Sequence, residues 1–345
     1  MYSRMKVAAA LGVLALGVTA CGSGGSGGSG GNGGGSSADA KDMKVVTVVK
    51  LRGVGWFDRM ETGIKEFAGE TGVDATMTGA DDASPEKQIK IIQDLIAEKP
   101  TAITVVPNSP EALEGVLGQA KSAGIKIVTH EASNQQNTDV DIEAFNNGAY
   151  GAHIMDNLAQ CMGGKGKYAA FVGQLTARSH MEWVEGALQQ AKKKYPGIQR
   201  IGGPIEGRED ANVAYQKTKE LLTKYPDIKG IEGSAATDVA GIGRAIQEAG
   251  LEDKVCVMGT SIPSIAGKYL DSGAVDKIFF WDPALAGKAQ DKLAVMLAKG
   301  EEIKPGLNLG LKGYENLQKI AGSPKGYAGT AWIDVDKSNA SEYPF

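Results

Sequence analysis

Three cysteines, three histidines and an aromatic share of 6% leave this 345-residue chain short of several kinds of chemistry. Three cysteines are too few for a disulfide-stapled scaffold. His130, His153 and His180 stand 23 and 27 residues apart with no HxxxH or CxxC companion, so no metal site is expected. Basic residues are not in excess either: 37 Lys plus Arg against 41 Asp plus Glu give a net charge of -4, which excludes a nucleic-acid footprint. Gly53-Val54-Gly55 lacks the third glycine of a dinucleotide loop. Gly163-Gly164-Lys165-Gly166-Lys167 lacks the Ser/Thr of a phosphate loop and precedes a strand, which makes it a tight turn. No nucleophile elbow appears. No cofactor and no enzymatic activity are expected.

What is present divides into a leader, a leash and a body. Arg4 and Lys6 precede an apolar run from Val7 to Ala20, 14 residues long. A membrane span needs about 20, and the run has the size of a secretory h-region. It ends Val18-Thr19-Ala20-Cys21, which resembles a bacterial lipobox, so residues 1–20 are expected to be a signal peptide and Cys21 the diacylated residue. Cleavage would remove Arg4 and Lys6 and take the net charge from -4 to -6. The stretch GSGGSGGSGGNGGGSS then supplies no side chain to bury and maximal backbone entropy, the composition of a flexible tether. Residues 21–42 are therefore read as anchor and leash, holding an exported protein at the outer face of the cell membrane or in the periplasm. In such a compartment Cys161 and Cys256 form one disulfide or remain two buried thiols.

The body carries 42% hydrophobic and 23% charged residues over the chain, enough for two cores. Short β-branched runs, Val45–Leu51, Val73–Gly79, Ala102–Pro107 and Ile125–Glu131, read as buried parallel strands. Between them lie amphipathic helices such as Pro85–Lys99 and Pro110–Ala123. After a strand at Val140–Phe145 and a helix at Gly148–Cys161 the alternation restarts, with strands at Tyr168–Gly173, Gln199–Ile205, Gly230–Ser234, Lys254–Thr260 and Val275–Trp281. A last helix follows at Pro283–Lys299 and a last strand at Ala331–Val335. Two such arrays predict two α/β lobes, each with a parallel sheet. Parallel sheets bind ligands at the carboxyl ends of their strands. Those ends are polar and flanked by Trp56 and Phe57, read here as lying in a loop after Gly55. Carboxylates and amides beside aromatic faces suit a hydroxylated ligand.

The segments KLRGVGWFDRMETGIKEFAGETGV and KIFFWDPALAG, with the leader and the two-lobe alternation, resemble a type I periplasmic binding protein. The resemblance is nearest to the autoinducer-2- and rhamnose-binding branch, the solute receptors of sugar ABC importers, and covers residues 44 to 345. It implies two similar three-layer lobes joined by a three-strand hinge, with residues 43–145 and 282–325 in the first lobe. Residues 146–281 and 326–345 would form the second lobe and the hinge. It implies ligand contacts from Lys50, Trp56, Phe57, Glu131, Trp281 and Asp282, with Ser179, His180, Ser234 and Ala236 at further ligand positions. Asn108 and Asp238, at strand ends, are added from the pattern. Ser179 and His180 stand where the autoinducer-2 receptors carry Asp-Gln, and this leaves a pentose, a deoxyhexose, a polyol and autoinducer-2 open. The implied partners are a small sugar-like ligand, an ABC permease with its ATPase, and the membrane through the lipid, with the receptor acting as a monomer and binding no nucleic acid. A sensor presenting its ligand state to a kinase or chemoreceptor would share the same fold and cleft.

Overall fold

The computed structural model describes residues 39–345; the signal peptide expected at 1–20, Cys21 and the tether through residue 38 lie outside the described residues. The first array runs β1 (Lys44–Val49), α1 (Gly55–Thr71), β2 (Asp74–Gly79), α2 (Pro85–Glu98), β3 (Ala102–Val105), α3 (Pro110–Ser122), β4 (Lys126–His130) and β5 (Val140–Glu143). The second runs α4 (Asn147–Cys161), β6 (Lys165–Val172), α5 (Arg178–Lys194), β7 (Gly197–Arg200), β8 (Ile205–Glu206), α6 (Ala211–Lys224), β9 (Ile228–Gly233), α7 (Ala236–Ala249), β10 (Cys256–Thr260), α8 (Pro263–Ser272) and β11 (Lys277–Phe280). The chain then returns through α9 (Pro283–Ala298), β12 (Gln318–Lys319), β13 (Gly326–Ala328) and β14 (Ile333–Val335).

Two sheets result, ordered β12-β13-β5-β4-β3-β1-β2 and β14-β11-β10-β9-β6-β7. Their inner strands pair in parallel, with Val45 opposite both Ala75 and Ala102 in the first sheet and Cys256 opposite Gly230 in the second. Central strands such as β3 are buried along their whole length, as helices on both faces require. Two α/β lobes result, as the two alternating arrays predicted. Segments 144–146, 281–282 and 329–332 carry the chain between the sheets. Tested against this topology, the boundary expected at residue 326 moves: β13 pairs with β5 in the first sheet, so the last crossing follows Ala328.

One further expectation changes, and one helix stands where none was assigned. Trp56 and Phe57 sit in the first turn of α1 rather than in a loop, because Trp56, Met60, Ile64 and Phe67 form one buried stripe that drives the helix against the core. The helix α8 begins at Pro263, whose fixed φ suits a first helical position.

Each lobe is sealed by a helix pair in backbone contact. In the first lobe a Cβ on Gly63 of α1 would fall 2.0 Å from the Ala284 carbonyl oxygen of α9. In the second, a Cβ on Gly151 of α4 would fall 1.9 Å from the Trp183 carbonyl oxygen of α5. The second lobe also holds a disulfide, Cys161 at the end of α4 to Cys256 at the start of β10, 95 residues away in sequence. No helix among the described residues is long and apolar enough to cross a membrane.

Candidate functional site

Strand ends from both lobes meet around a small cavity of about 30 Å³, room for about two waters. The first lobe contributes Lys50 from the end of β1, Val54, Trp56 and Phe57 from the start of α1, and Glu131 from the end of β4. The second contributes His180 and Trp183 from α5, Glu209, Ser234 to Ala236 around the start of α7, and Thr260 from the end of β10. Trp281, on the middle crossing segment, closes the floor, its ring edge-on to Trp56 at 4.7 Å and to Trp183 at 5.7 Å between centroids.

At its centre the Lys50 Nζ donates to Glu131 Oε2 at 2.7 Å, and both side chains are 4% exposed. Ser179 Oγ donates to the same carboxylate oxygen at 2.9 Å from the opposite lobe. Burial disfavours the charged carboxylate, but the ammonium of Lys50 outweighs it and brings the Glu131 pKa down to about 2. Burial is the largest influence and works against the charged Lys50, but Glu131, Glu209 and Glu143 together reverse it, so the pair is ionised together. Glu131 itself holds φ 60°, a left-handed conformation that a non-glycine residue adopts at a cost of order 1–3 kcal/mol.

His180 is held neutral. Burial and the nearby Lys50 charge push its pKa to about 3. The Gly173 N–H donates to its Nδ1 at 3.1 Å, which leaves the ring proton on Nε2, 3.5 Å from Lys50 Nζ. The cavity therefore presents N–H and O–H donors from Lys50, His180, Ser234 and Thr260 against carboxylate acceptors, with aromatic faces between them. That set suits an uncharged polyhydroxylated molecule. A larger groove of about 860 Å³ runs beside α4 and α5, but it is more open and lined by a mixture of small, amide and charged side chains. The smaller cavity is where buried charge converges.

Of the residues singled out in the sequence, Lys50, Trp56, Phe57, Glu131, His180, Ser234, Ala236 and Trp281 line this cavity. Ser179 stands just behind, through its bond to Glu131. Three others do not line it. Asn108 donates its Nδ2–H to the Lys50 carbonyl and takes Gln88 Oε1 on its backbone N–H, which fixes the β1 end from behind. Asp238 accepts the Ala235 N–H and caps its own helix. Asp282 accepts the Ala284 N–H as the N-cap of α9 and two bonds from Arg59, at 2.9 and 2.7 Å.

Glu209 was missed. It is half-buried, lines the cavity, and follows Arg208 in a second consecutive left-handed conformation, φ 57° then 54°. Its carboxylate lies where a Cβ on Gly173 would be, 2.2 Å away, so a side chain at 173 would displace it from the cavity. Burial raises its pKa, and Lys50 pulls against that. Nothing in Arg-Glu-Asp at 208–210 distinguishes this turn from a solvated helix start.

A model described as periplasmic binding protein domain matches residues 45–302. The xylitol-binding protein of Mycolicibacterium smegmatis is 25% identical over 328 residues, 88% of this chain and 82% of that one. Among solved structures, an ABC transporter solute-binding protein from Clostridium phytofermentas with bound L-rhamnose superimposes with a TM-score of 0.81 at 22% identity, covering 87% of this chain and 98% of that one. LsrB from Clostridium saccharobutylicum in complex with AI-2 gives 0.80 at 19% identity, covering 88% and 100%.

Proposed function

This chain belongs to the periplasmic binding protein family, an extracytoplasmic family of solute-binding proteins rather than enzymes, and from that premise we propose that it captures a small uncharged sugar or polyol for an ABC importer. The observation that carries the reading is the buried Lys50–Glu131 pair, capped by Ser179 and flanked by His180, inside an aromatic-walled cavity shared by two lobes. Donors and acceptors fixed in this way bond vicinal hydroxyls on both sides, while the Trp56 and Trp281 faces cover C–H surface. Lys50, Trp56, Phe57, Glu131, His180, Ser234 and Trp281 are the proposed contacts. Because the closed cavity holds about two waters, the ligand enters with the lobes apart and is enclosed as they close. Xylitol, which the mycobacterial relative is named for, and L-rhamnose, bound in one neighbour, head the panel. Autoinducer-2, bound in LsrB, is its third class. The leader and Cys21 support lipid anchoring outside the membrane.

Thermal unfolding of the full chain with Cys21→Ser, which removes the acylation site, against pentitols, pentoses, deoxyhexoses, hexoses and autoinducer-2 tests this. A ligand at 1,000 times its Kd adds about 4 kcal/mol and shifts Tm by several degrees. A shift confined to one class supports the reading. No shift with any member overturns it.

A further inference from the structure

Where β5 runs into the first crossing segment, Asp141 and Glu143 lie two residues apart on one face of the strand, both buried. Side chains two apart on one strand face are neighbours, and two buried carboxyls so placed favour the form in which one of them carries a proton. Asp141 also accepts the Thr129 hydroxyl at 2.9 Å, while its Oδ2 and the Glu143 Oε1 have no protein donor.

The groups facing this pair come from several elements. On β4 and its end are His130, whose Nδ1–H is spent on the Ile142 carbonyl, and Glu131, which Lys50 of β1 neutralises. The buried Tyr314 hydroxyl stands near Glu143. From the other lobe comes Glu182 of α5, which accepts the Ser133 hydroxyl of the first lobe and the Asn147 amide at 2.7 Å each, with Arg178 at 2.8 Å. Four carboxylates thus meet two cations at the lobe boundary, and one of them, Glu182, belongs to the second lobe.

We propose that closing the lobes takes up a proton on the Asp141–Glu143 pair, so that closure, and with it ligand capture, strengthens as the medium acidifies. Seating Glu182 on Ser133 brings a negative charge toward the pair and excludes water, and both effects favour its protonated form. Withdrawing α5 reverses both. Burial acts in the same direction on each group, raising the pKa of Asp141 and, further, that of Glu143. One proton bound per closure makes the closed-to-open ratio fall by up to tenfold per pH unit above the pair's apparent pKa in the open form.

Small-angle scattering of the full chain with Cys21→Ser, with no added sugar, from pH 5 to pH 9 tests this independently of which ligand the cleft takes. The radius of gyration is expected to rise with pH. Glu143→Gln and Asp141→Asn each flatten the profile, and Glu182→Gln, which leaves the pair intact, moves the midpoint. A protonated-carboxyl component in the infrared difference spectrum between the unmutated protein and Glu143→Gln near neutral pH is the second readout, because Asp291 and Glu232 contribute equally to both. A radius independent of pH overturns the proposal. So does a pH dependence that persists unchanged in folded Glu143→Gln, Asp141→Asn and Glu182→Gln. A failed sugar panel beside a pH-dependent radius would sink the ligand reading and leave proton-linked closure standing.

Discussion

The two walls of the cavity are built on different terms. The first-lobe wall carries a complete ion pair, Lys50 with Glu131, assembled within one sheet and fixed from behind by Asn108. The second-lobe wall opposes it with neutral donors, Ser179, the Nε2–H of His180 and the hydroxyls of Ser234 and Thr260, and with one acid, Glu209. Charge is thus matched before the lobes meet. What the second wall adds is direction and exclusion of water, so the first wall governs stability and recognition together and the second governs closure.

The largest break comes from the first wall. Lys50→Met leaves Glu131 buried and unpaired, an expected loss of about 3–5 kcal/mol in urea unfolding, together with all response to ligand. Lys50→Met with Glu131→Gln should recover much of that stability and none of the binding, because the pair is coupled. An additive double variant would mean that the pair is not the organising contact.

Next comes the disulfide, which belongs to the second lobe alone. Cys161→Ser with Cys256→Ser should lose about 2–5 kcal/mol and leave the ligand profile unchanged. Altered specificity would show that the second lobe shapes the first wall.

Acid distinguishes the walls in a third way. Burial raises Asp291, under the first sheet, and Glu232, in the second, to about 8 each. A carboxyl whose folded pKa exceeds its unfolded value binds the proton in the folded state while the unfolded chain releases it. Stability therefore falls as pH rises from about 4 to 8, by at most about 1.4 kcal/mol per pH unit per group. Glu131, lowered to about 2, has the opposite sign and loses its contribution only as pH falls from its unfolded value through 2. Denaturant midpoints should rise on going from pH 8 to pH 5. Asp291→Asn should remove part of that slope.

The smallest effect belongs to Ser179→Ala, which deletes one bond across the walls. About 1 kcal/mol of closure is expected to go, read as a larger radius of gyration at fixed pH with an unchanged urea midpoint.

Much of this was legible in the sequence, because a parallel sheet writes itself as β-branched runs and its ligand loops sit at predictable strand ends. Lys50 and Glu131 could be found that way. The α1 helix could not be read past Gly53 and Gly55, which signalled a loop, although the stripe through Trp56, Met60, Ile64 and Phe67 was there to be counted. Asn108, Asp238 and Asp282 were polar residues at the expected places, yet they turn to cap helices or brace backbone. Strand-end position says where a side chain starts; only packing says which way it points. Glu209 follows from a backbone conformation that composition does not encode.

The glycine contacts that seal α1 to α9 and α4 to α5 have a mechanical consequence. The helices α9 and α4 are each entered directly from a crossing segment, whereas α1 and α5 carry the cavity aromatics Trp56 and Trp183. At Gly63 and Gly151 backbone rests on backbone, with no side chain there to absorb a rotation. Each couple should turn as a single rigid plate, so a few degrees of twist at the crossings reach the cavity aromatics without slack. The seam has no tolerance for a single added methyl group, and alanine at Gly63 or Gly151 should loosen the gearing between pivot and jaws.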